Sequence, residues 1–182
     1  MKVYTRTGDD GTTGLFYGGR IPKDAPGPTA YGTVDEAVAA LGLARAEAPP
    51  GGELHELLLR LQRELFVVGA ELATAPDNRR KLEPGTTLTT PAMVTALETI
   101  IDDLSARFEP PREFVLPGEN RCSAALDLAR AVVRRAERES CTARDDGWLG
   151  ESAVVPYLNR LADLLFVLAR WQEDGFRPLH ES

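Results

Sequence analysis

Five long runs of helix-period sequence, cut apart by proline and glycine, constrain this 182-residue chain more than any other feature. The first starts at Thr33, where Thr33-Val34-Asp35-Glu36 reads as a capping box, and extends to about residue 48. Pro49-Pro50-Gly51-Gly52 stops it. The second covers about residues 53–74, with Leu54, Leu57, Leu58, Leu61, Leu65, Val68 and Leu72 at helical spacing. Residues 76–89 are polar and read as a loop. Thr90-Pro91 opens the third helix, which runs to about residue 107, before Glu109-Pro110-Pro111 ends it. The fourth covers about residues 120–142 and the fifth about 152–174. Between the third and fourth, residues 114–118 read as a short extended apolar piece. Long amphipathic helices with short connections predict an all-α chain, a five-helix antiparallel bundle. The expected organisation is one domain over residues 1–182, with a Gly/Thr-rich segment at 1–30, the bundle at 31–175 and a tail at 176–182.

Composition excludes several classes of function. The formal net charge of −7 argues against general nucleic-acid binding. No stretch approaches the roughly 20 apolar residues of a membrane span. The opening MKVYTRTGDDG has no apolar signal core, so a cytoplasmic protein is expected. Cys122 and Cys141 are too few for a disulfide framework, and His55 and His180 lie far apart. No Cys/His metal cluster and no Glu-x-x-His pair can be assembled, so no protein-held metal centre is expected.

The chemistry concentrates in two places. The run DLARAVVRRAER, residues 127–138, sets Asp127, Arg130, Arg134, Glu137 and Arg138 on one helical face and Leu128, Ala129, Val132 and Ala136 on the other. Three arginines at consecutive turns offer planar donor forks suited to phosphate and carboxylate. The same face could equally be a solvated, ion-paired surface. The segment YTRTGDDGTTGLFYGGRIPKD, residues 4–24, packs glycines and threonines closely enough for backbone N–H groups to curl around an anion. It lacks the Gly-Lys-Ser/Thr ending of a Walker A loop, and a flexible tail or a hairpin would also fit it. In the fifth helix Asn159, Asp163 and Arg170 share a polar stripe that is either exposed or lines a polar interior. Asp35 offers a carboxylate that one of the arginines could take as a partner, because a buried unpaired arginine is costly. Phe114 is either core or, at a helix junction, a pocket lining. No Gly-x-Ser-x-Gly, Cys/His pair or histidine base is present, so a nucleophile would have to come from a substrate or cofactor.

Together these residues resemble the PduO-type ATP:cob(I)alamin adenosyltransferases. Three blocks carry the likeness, in order, over nearly the whole chain: residues 4–24 with Tyr31-Gly32-Thr33-Val34-Asp35-Glu36, then 114–138, then 157–170. The resemblance implies a five-helix bundle that assembles as a homotrimer with its sites between subunits. It implies transfer of the 5′-deoxyadenosyl group of ATP to cob(I)alamin, giving adenosylcobalamin and triphosphate. Reduced cobalt is then the nucleophile, and Mg²⁺ accompanies the nucleotide. Thr5, Arg6, Thr7, Gly8, Thr12, Thr13 and Lys23 are expected to hold the phosphates, with Arg134, Glu137, Arg138 and Asn159 contributed by a neighbouring subunit. Phe114 is expected beneath the corrin, where it displaces the lower ligand and eases reduction of cob(II)alamin. Asp35 and Arg130 are expected to pair on the corrin side, and Arg134, Phe114, Asp35 and Arg130 to carry the catalysis. A cobalamin reductase and an adenosylcobalamin-dependent enzyme are the implied partners.

The chain departs from the family pattern at Gly27, Val38, Glu119, Asp127 and Ala162, where Arg, Asn, Gly, His and Ser are usual. Glu119 is expected to act as an anion at a helix N-terminus. Retained phosphate-binding residues favour an enzyme. The changes at Gly27, Val38, Glu119 and Asp127 favour a corrinoid- or ATP-binding paralogue that delivers or senses adenosylcobalamin with weak or no turnover.

Overall fold

A computed structural model describes residues 4–180. It contains a two-stranded hairpin, β1 (Thr12–Gly14) and β2 (Arg20–Pro22), followed by five α-helices. These are α1 (Pro26–Glu47), α2 (Glu53–Leu72), α3 (Pro91–Ser105), α4 (Arg121–Asp145) and α5 (Val154–Trp171). A 3₁₀ segment, Pro76–Lys81, lies inside the loop expected after the second helix.

The start of α1 differs from expectation. The helix begins at Pro26, and Thr33-Val34-Asp35-Glu36 lies within it. Prolines in a first turn need no N–H partner and come with helical φ, so Pro26 and Pro28 start the helix. The Thr33 hydroxyl then donates to the Thr29 carbonyl at 3.0 Å rather than capping. The expected cap at Thr90 is present, its hydroxyl accepting from Met93 N at 3.3 Å. Asn120 caps α4 by accepting from Ser123 N at 2.8 Å, and the Ser123 side chain reaches back to the Asn120 backbone.

α1 packs between α2 and α4, α4 also packs on α5, and α5 also packs on α3. Side-chain pairs fix the directions. Cys122 meets Ala44 while Arg135 pairs with Glu36, so α4 runs antiparallel to α1. Glu137 meets Asn159 while Asp127 meets Arg170, so α5 runs antiparallel to α4. α3 and α5 run parallel, Glu98 meeting Arg160 and Arg107 lying over Trp171. The parallel pair follows from alternation: helices reversing at every connection leave all odd-numbered ones pointing the same way.

The core is assembled from leucines of α2 and α5 and from alanine faces of α1 and α4. Leu58, Leu61, Leu65, Leu161 and Leu165 are fully buried, as are Ala37, Ala44, Ala129 and Ala136. Small residues let the α1 and α4 backbones approach closely and hold the face of α4 that carries the arginines. The hairpin is tied to this body at its tip. Phe16 N donates to Ala73 O at 3.0 Å, and the Tyr17 hydroxyl donates to Lys81 O at 2.9 Å. Gly18 and Gly19, at φ 93° and 92°, make the turn that side chains would strain.

Candidate active site

The N-terminal segment is a loop whose cations are folded inward on its own oxygens. Lys23 Nζ donates to Gly8 O at 2.8 Å, and Arg20 donates to the Thr12 hydroxyl at 2.7 Å and to Thr7 O. Asp10 accepts from Thr12 N at 2.9 Å and from its hydroxyl at 2.8 Å. The Thr12 backbone bond, more than any other contact, holds the Asp10 carboxyl below its ordinary pKa. The Thr5 and Thr7 hydroxyls are 2.8 Å apart, and Arg6 takes a positive φ of 65°. Thr5, Arg6, Thr7 and Lys23 are exposed, with Gly8, Thr12 and Thr13 half-buried. Hydroxyls, cations and a backbone turn thus share one short loop, a donor set matched to a polyanion.

On α4, Arg134 and Arg138 are exposed, and Arg138 Nη1 donates to Arg134 O at 3.1 Å. Glu137 accepts from Asn159 Nδ2 at 3.0 Å, so two residues expected to act together are in contact across α4 and α5. Among the described residues no hydrogen bond or ion pair links the loop at 5–23 to Arg134, Glu137, Arg138 or Asn159. The loop and the arginine face are two separate cationic surfaces of one chain.

The helical-wheel division of α4 needs two corrections. Asp127 is 5% exposed and Leu128 is 54% exposed, the reverse of the expected sides. The reason is that α4 is gripped from two directions, by α1 and by α5, which turns Asp127 into the α5 contact. Arg130 takes Asp127 as its carboxylate partner within the chain, Nε to Oδ1 at 3.3 Å. Asp35 is exposed on α1 and has no ion pair among the described residues, so the expected Asp35–Arg130 pair does not form inside one chain.

Beside Arg130 lies a cavity of about 630 Å³, whose lining includes Phe114, Pro117, Asp127, Phe166 and Arg170. Phe114 is 82% exposed, which removes the core-packing reading. Its backbone is nevertheless fixed. Leu179 N donates to Phe114 O and Leu116 N to Arg177 O, each at 2.8 Å, forming an antiparallel bridge to the C-terminal segment. Glu119 pairs with Arg177 at 3.0 Å, tying the same two segments together on the side of α4. The aromatic ring is therefore presented to the cavity on an anchored backbone.

Under this cavity, sequence reasoning missed Glu173 and the pairing of Arg170 with Asp127. Arg170 is 2% exposed, on the buried side of the stripe it was expected to share with Asp163, which is exposed. Its Nη2 lies 2.5 Å from Asp127 Oδ2, and Glu173 accepts from it at 2.9 Å. The spacing of Arg170 and Glu173 hints at an ion pair on one helix face. Nothing local in sequence signals a partner 43 residues away.

The trimming at Gly27 also has a structural reason. The Trp148 indole lies directly against Gly27, and a Cβ there would sit inside it. Trp148 is fixed by its Nε1 donating to Leu72 O at 2.8 Å.

Residues 3–172 match the sequence profile of the cobalamin adenosyltransferase family. A corrinoid adenosyltransferase of Citrobacter freundii is 42% identical over 178 residues, spanning 94% of this chain and 95% of that one. One from Bacillus subtilis is 42% identical over 174 residues, spanning 93% and 86%. Among solved structures, a phenylalanine-to-histidine variant of the PduO-type ATP:corrinoid adenosyltransferase from Lactobacillus reuteri, complexed with cobalamin and ATP, matches with TM-score 0.83 at 30% identity, covering 93% of this chain and 90% of that one. An arginine-to-lysine variant of the same enzyme, complexed with ATP, matches with TM-score 0.85 at 27% identity, covering 98% and 100%. A profile spanning almost the whole chain, relatives matched end to end and the same fold together establish that this chain belongs to the cobalamin adenosyltransferase family.

Proposed function

We propose that this chain transfers the 5′-deoxyadenosyl group of ATP to cob(I)alamin, forming adenosylcobalamin and releasing triphosphate. The observation that carries the reading is the pairing, in a chain of this family, of a phosphate-matched loop with a cavity that presents Phe114 beside Arg130. The Co(I) electron pair makes the Co–C bond as the C5′–O bond breaks, and triphosphate leaves with that bond's electrons. No protein nucleophile is needed. The chain's work is positioning and charge stabilisation. Lys23 and the hydroxyls of Thr5, Thr7, Thr12 and Thr13, with Arg6 and Gly8 N–H, take the phosphates. Arg134 and Arg138 neutralise charge that grows on the leaving group, and Glu137 with Asn159 holds the nucleotide. Phe114 excludes water and a lower base from cobalt, which favours the four-coordinate Co(II) that precedes Co(I).

A homotrimer of five-helix, single-domain protomers is part of this reading, with sites between subunits. Two facts support it: among the described residues of one chain the loop and the arginine face are not joined, and Asp35 has no ion-pair partner. A second subunit would supply Arg130 to Asp35 and the arginine face to the loop. Mg²⁺ would enter bound to the phosphate oxygens of ATP, as is usual for this ion with nucleotides. A reductase that supplies cob(I)alamin and an enzyme that consumes adenosylcobalamin are the implied partners. Among the described residues no helix is long and apolar enough to cross a membrane. A reducing cytoplasm would keep Cys122 and Cys141 as free thiols. The test follows the absorbance of cob(I)alamin with ATP and Mg²⁺ under anaerobic conditions. Conversion to the adenosylcobalamin spectrum that requires both protein and ATP is expected, and binding of both substrates without conversion would leave a carrier.

A further inference from the structure

The cavity beside Phe114 rests on a buried chain of charges that the nucleotide-binding residues do not use. Glu173 accepts from Arg170 Nη2 at 2.9 Å, and its second oxygen lies 2.7 Å from Arg170 Nε. The same Nη2 lies 2.5 Å from Asp127 Oδ2. The other Asp127 oxygen accepts from Arg130 Nε at 3.3 Å. Exposure rises along this line. The side chains of Arg170 and Glu173 are each 1% exposed, that of Asp127 is 5% and that of Arg130 is 31%. Two carboxylates alternate with two guanidiniums, so the chain is neutral as a whole and each buried charge has an opposite neighbour. Arg170 also lies over the Phe166 ring at 5.4 Å, and Phe166 lines the same cavity.

We propose that Asp127 is a positioning residue for corrinoid binding, holding Arg130 against the cavity wall through its anchor on Arg170 and Glu173. The proposal rests on the adenosyltransferase reading. Arg130 has a long side chain with many rotamers, and on an exposed helix face it would sample them. A single contact from its own helix, three residues back, is a weak restraint when both partners are mobile. Here one partner cannot move. Arg170 fixes Asp127 from α5, and Glu173 fixes Arg170, so the carboxylate presents one oxygen at a set point in the cavity. Arg130 thereby loses its rotamer freedom before any ligand arrives, which lowers the entropic cost of binding. The relay has a second effect. It balances the charge at a position where the family usually has histidine, so the acidic residue is accommodated without leaving a net negative charge under the cavity.

The experiment compares Asp127→Asn, Arg130→Ala and the double variant, each in the whole chain and each checked for wild-type helicity. Asparagine keeps the shape and one acceptor but removes the charge that orders both guanidiniums. The dissociation constant for cob(II)alamin with ATP bound is expected to rise about tenfold in Asp127→Asn. The four-coordinate fraction of bound Co(II), read by absorbance, should fall, while the KM for ATP stays within about twofold. Because Asp127 acts through Arg130, the double variant should bind corrinoid no worse than Arg130→Ala alone. If Asp127→Asn does not fold, Asp127→Leu with Arg170→Met and Glu173→Gln replaces the buried charges by groups of similar volume, and must show the same loss. Unchanged corrinoid affinity and four-coordinate fraction, or additive losses in the double variant, would overturn the proposal. A wild-type protein that binds corrinoid without turnover would instead overturn the adenosyltransferase reading, and the binding comparison would still decide the role of Asp127.

Discussion

The indole of Trp148 occupies the space that any side chain at residue 27 would need. Gly27 sits in the first turn of α1, where the helix passes over the end of α2, and Trp148 Nε1 is held there by the carbonyl of Leu72. The two positions are coupled: a larger residue at 27 requires a different occupant of the Trp148 site. Gly27→Ala should therefore destabilise the protein by about 1–3 kcal/mol, the usual cost of forcing extra volume into packed space. Combining it with Trp148→Ala should cost less than the sum of the two single changes. Chemical denaturation of the four proteins measures both values, and strict additivity would show that the contact is not shared.

Tyr157 is fully buried, and its hydroxyl donates to Glu64 Oε2 at 2.8 Å. Burial first, and the Glu64 carboxylate second, hold its phenol well above its ordinary pKa. The unfolded chain releases this proton near pH 10 and the folded one does not. Folding stability from this group is therefore intact below pH 10 and declines as pH rises from there towards the folded pKa. Tyr157→Phe should remove that alkaline decline. It should also cost about 1–2 kcal/mol near neutrality, since Glu64 keeps its ion pair with Arg60 at 2.7 Å. Denaturation midpoints between pH 8 and pH 11 separate the two proteins, and identical alkaline slopes would count against the assignment.

Arg134→Ala should abolish turnover and leave the fold intact. The side chain is exposed on α4, so its removal opens no cavity. Losing one contact to charge that develops on a leaving group typically raises a barrier by about 3 kcal/mol. Single-turnover kinetics at saturating ATP measure the loss, and a rate near that of the unaltered protein would remove Arg134 from the site.

Phe114→Ala should fold normally, because the ring is exposed and the backbone that carries it is held by hydrogen bonds to the C-terminal segment. Nucleotide affinity should remain within about twofold, while the four-coordinate Co(II) signal disappears as water regains the axial position. A persistent four-coordinate signal would show that the ring does not guard the cobalt.

The helices were legible because their signals are local. Leucine spacing in α2, the cap at Thr90 and the stop at Pro110-Pro111 depend on neighbours within a turn or two. Thr33-Val34-Asp35-Glu36 misled for the same reason: it has the residues of a capping box, but the prolines seven and five positions earlier had already started the helix. The arginines of α4 were legible as a face, whereas the inward turn of Asp127 was not. That depends on Arg170 and Glu173, which reach it only after α4 and α5 have packed. The anchoring of Phe114 by residues 177–179 is likewise a long-range pairing with no periodic signature.

Adenosyl transfer to cobalt breaks the C5′–O bond of ATP, whereas phosphoryl and nucleotidyl transfer break P–O bonds. The most direct measurement is therefore the inorganic product formed when the protein acts on ATP and cob(I)alamin under anaerobic conditions. The account predicts one triphosphate per adenosylcobalamin, with no triphosphate when cob(I)alamin is left out. Release of ADP and phosphate, or of pyrophosphate without a new Co–C bond, would contradict it.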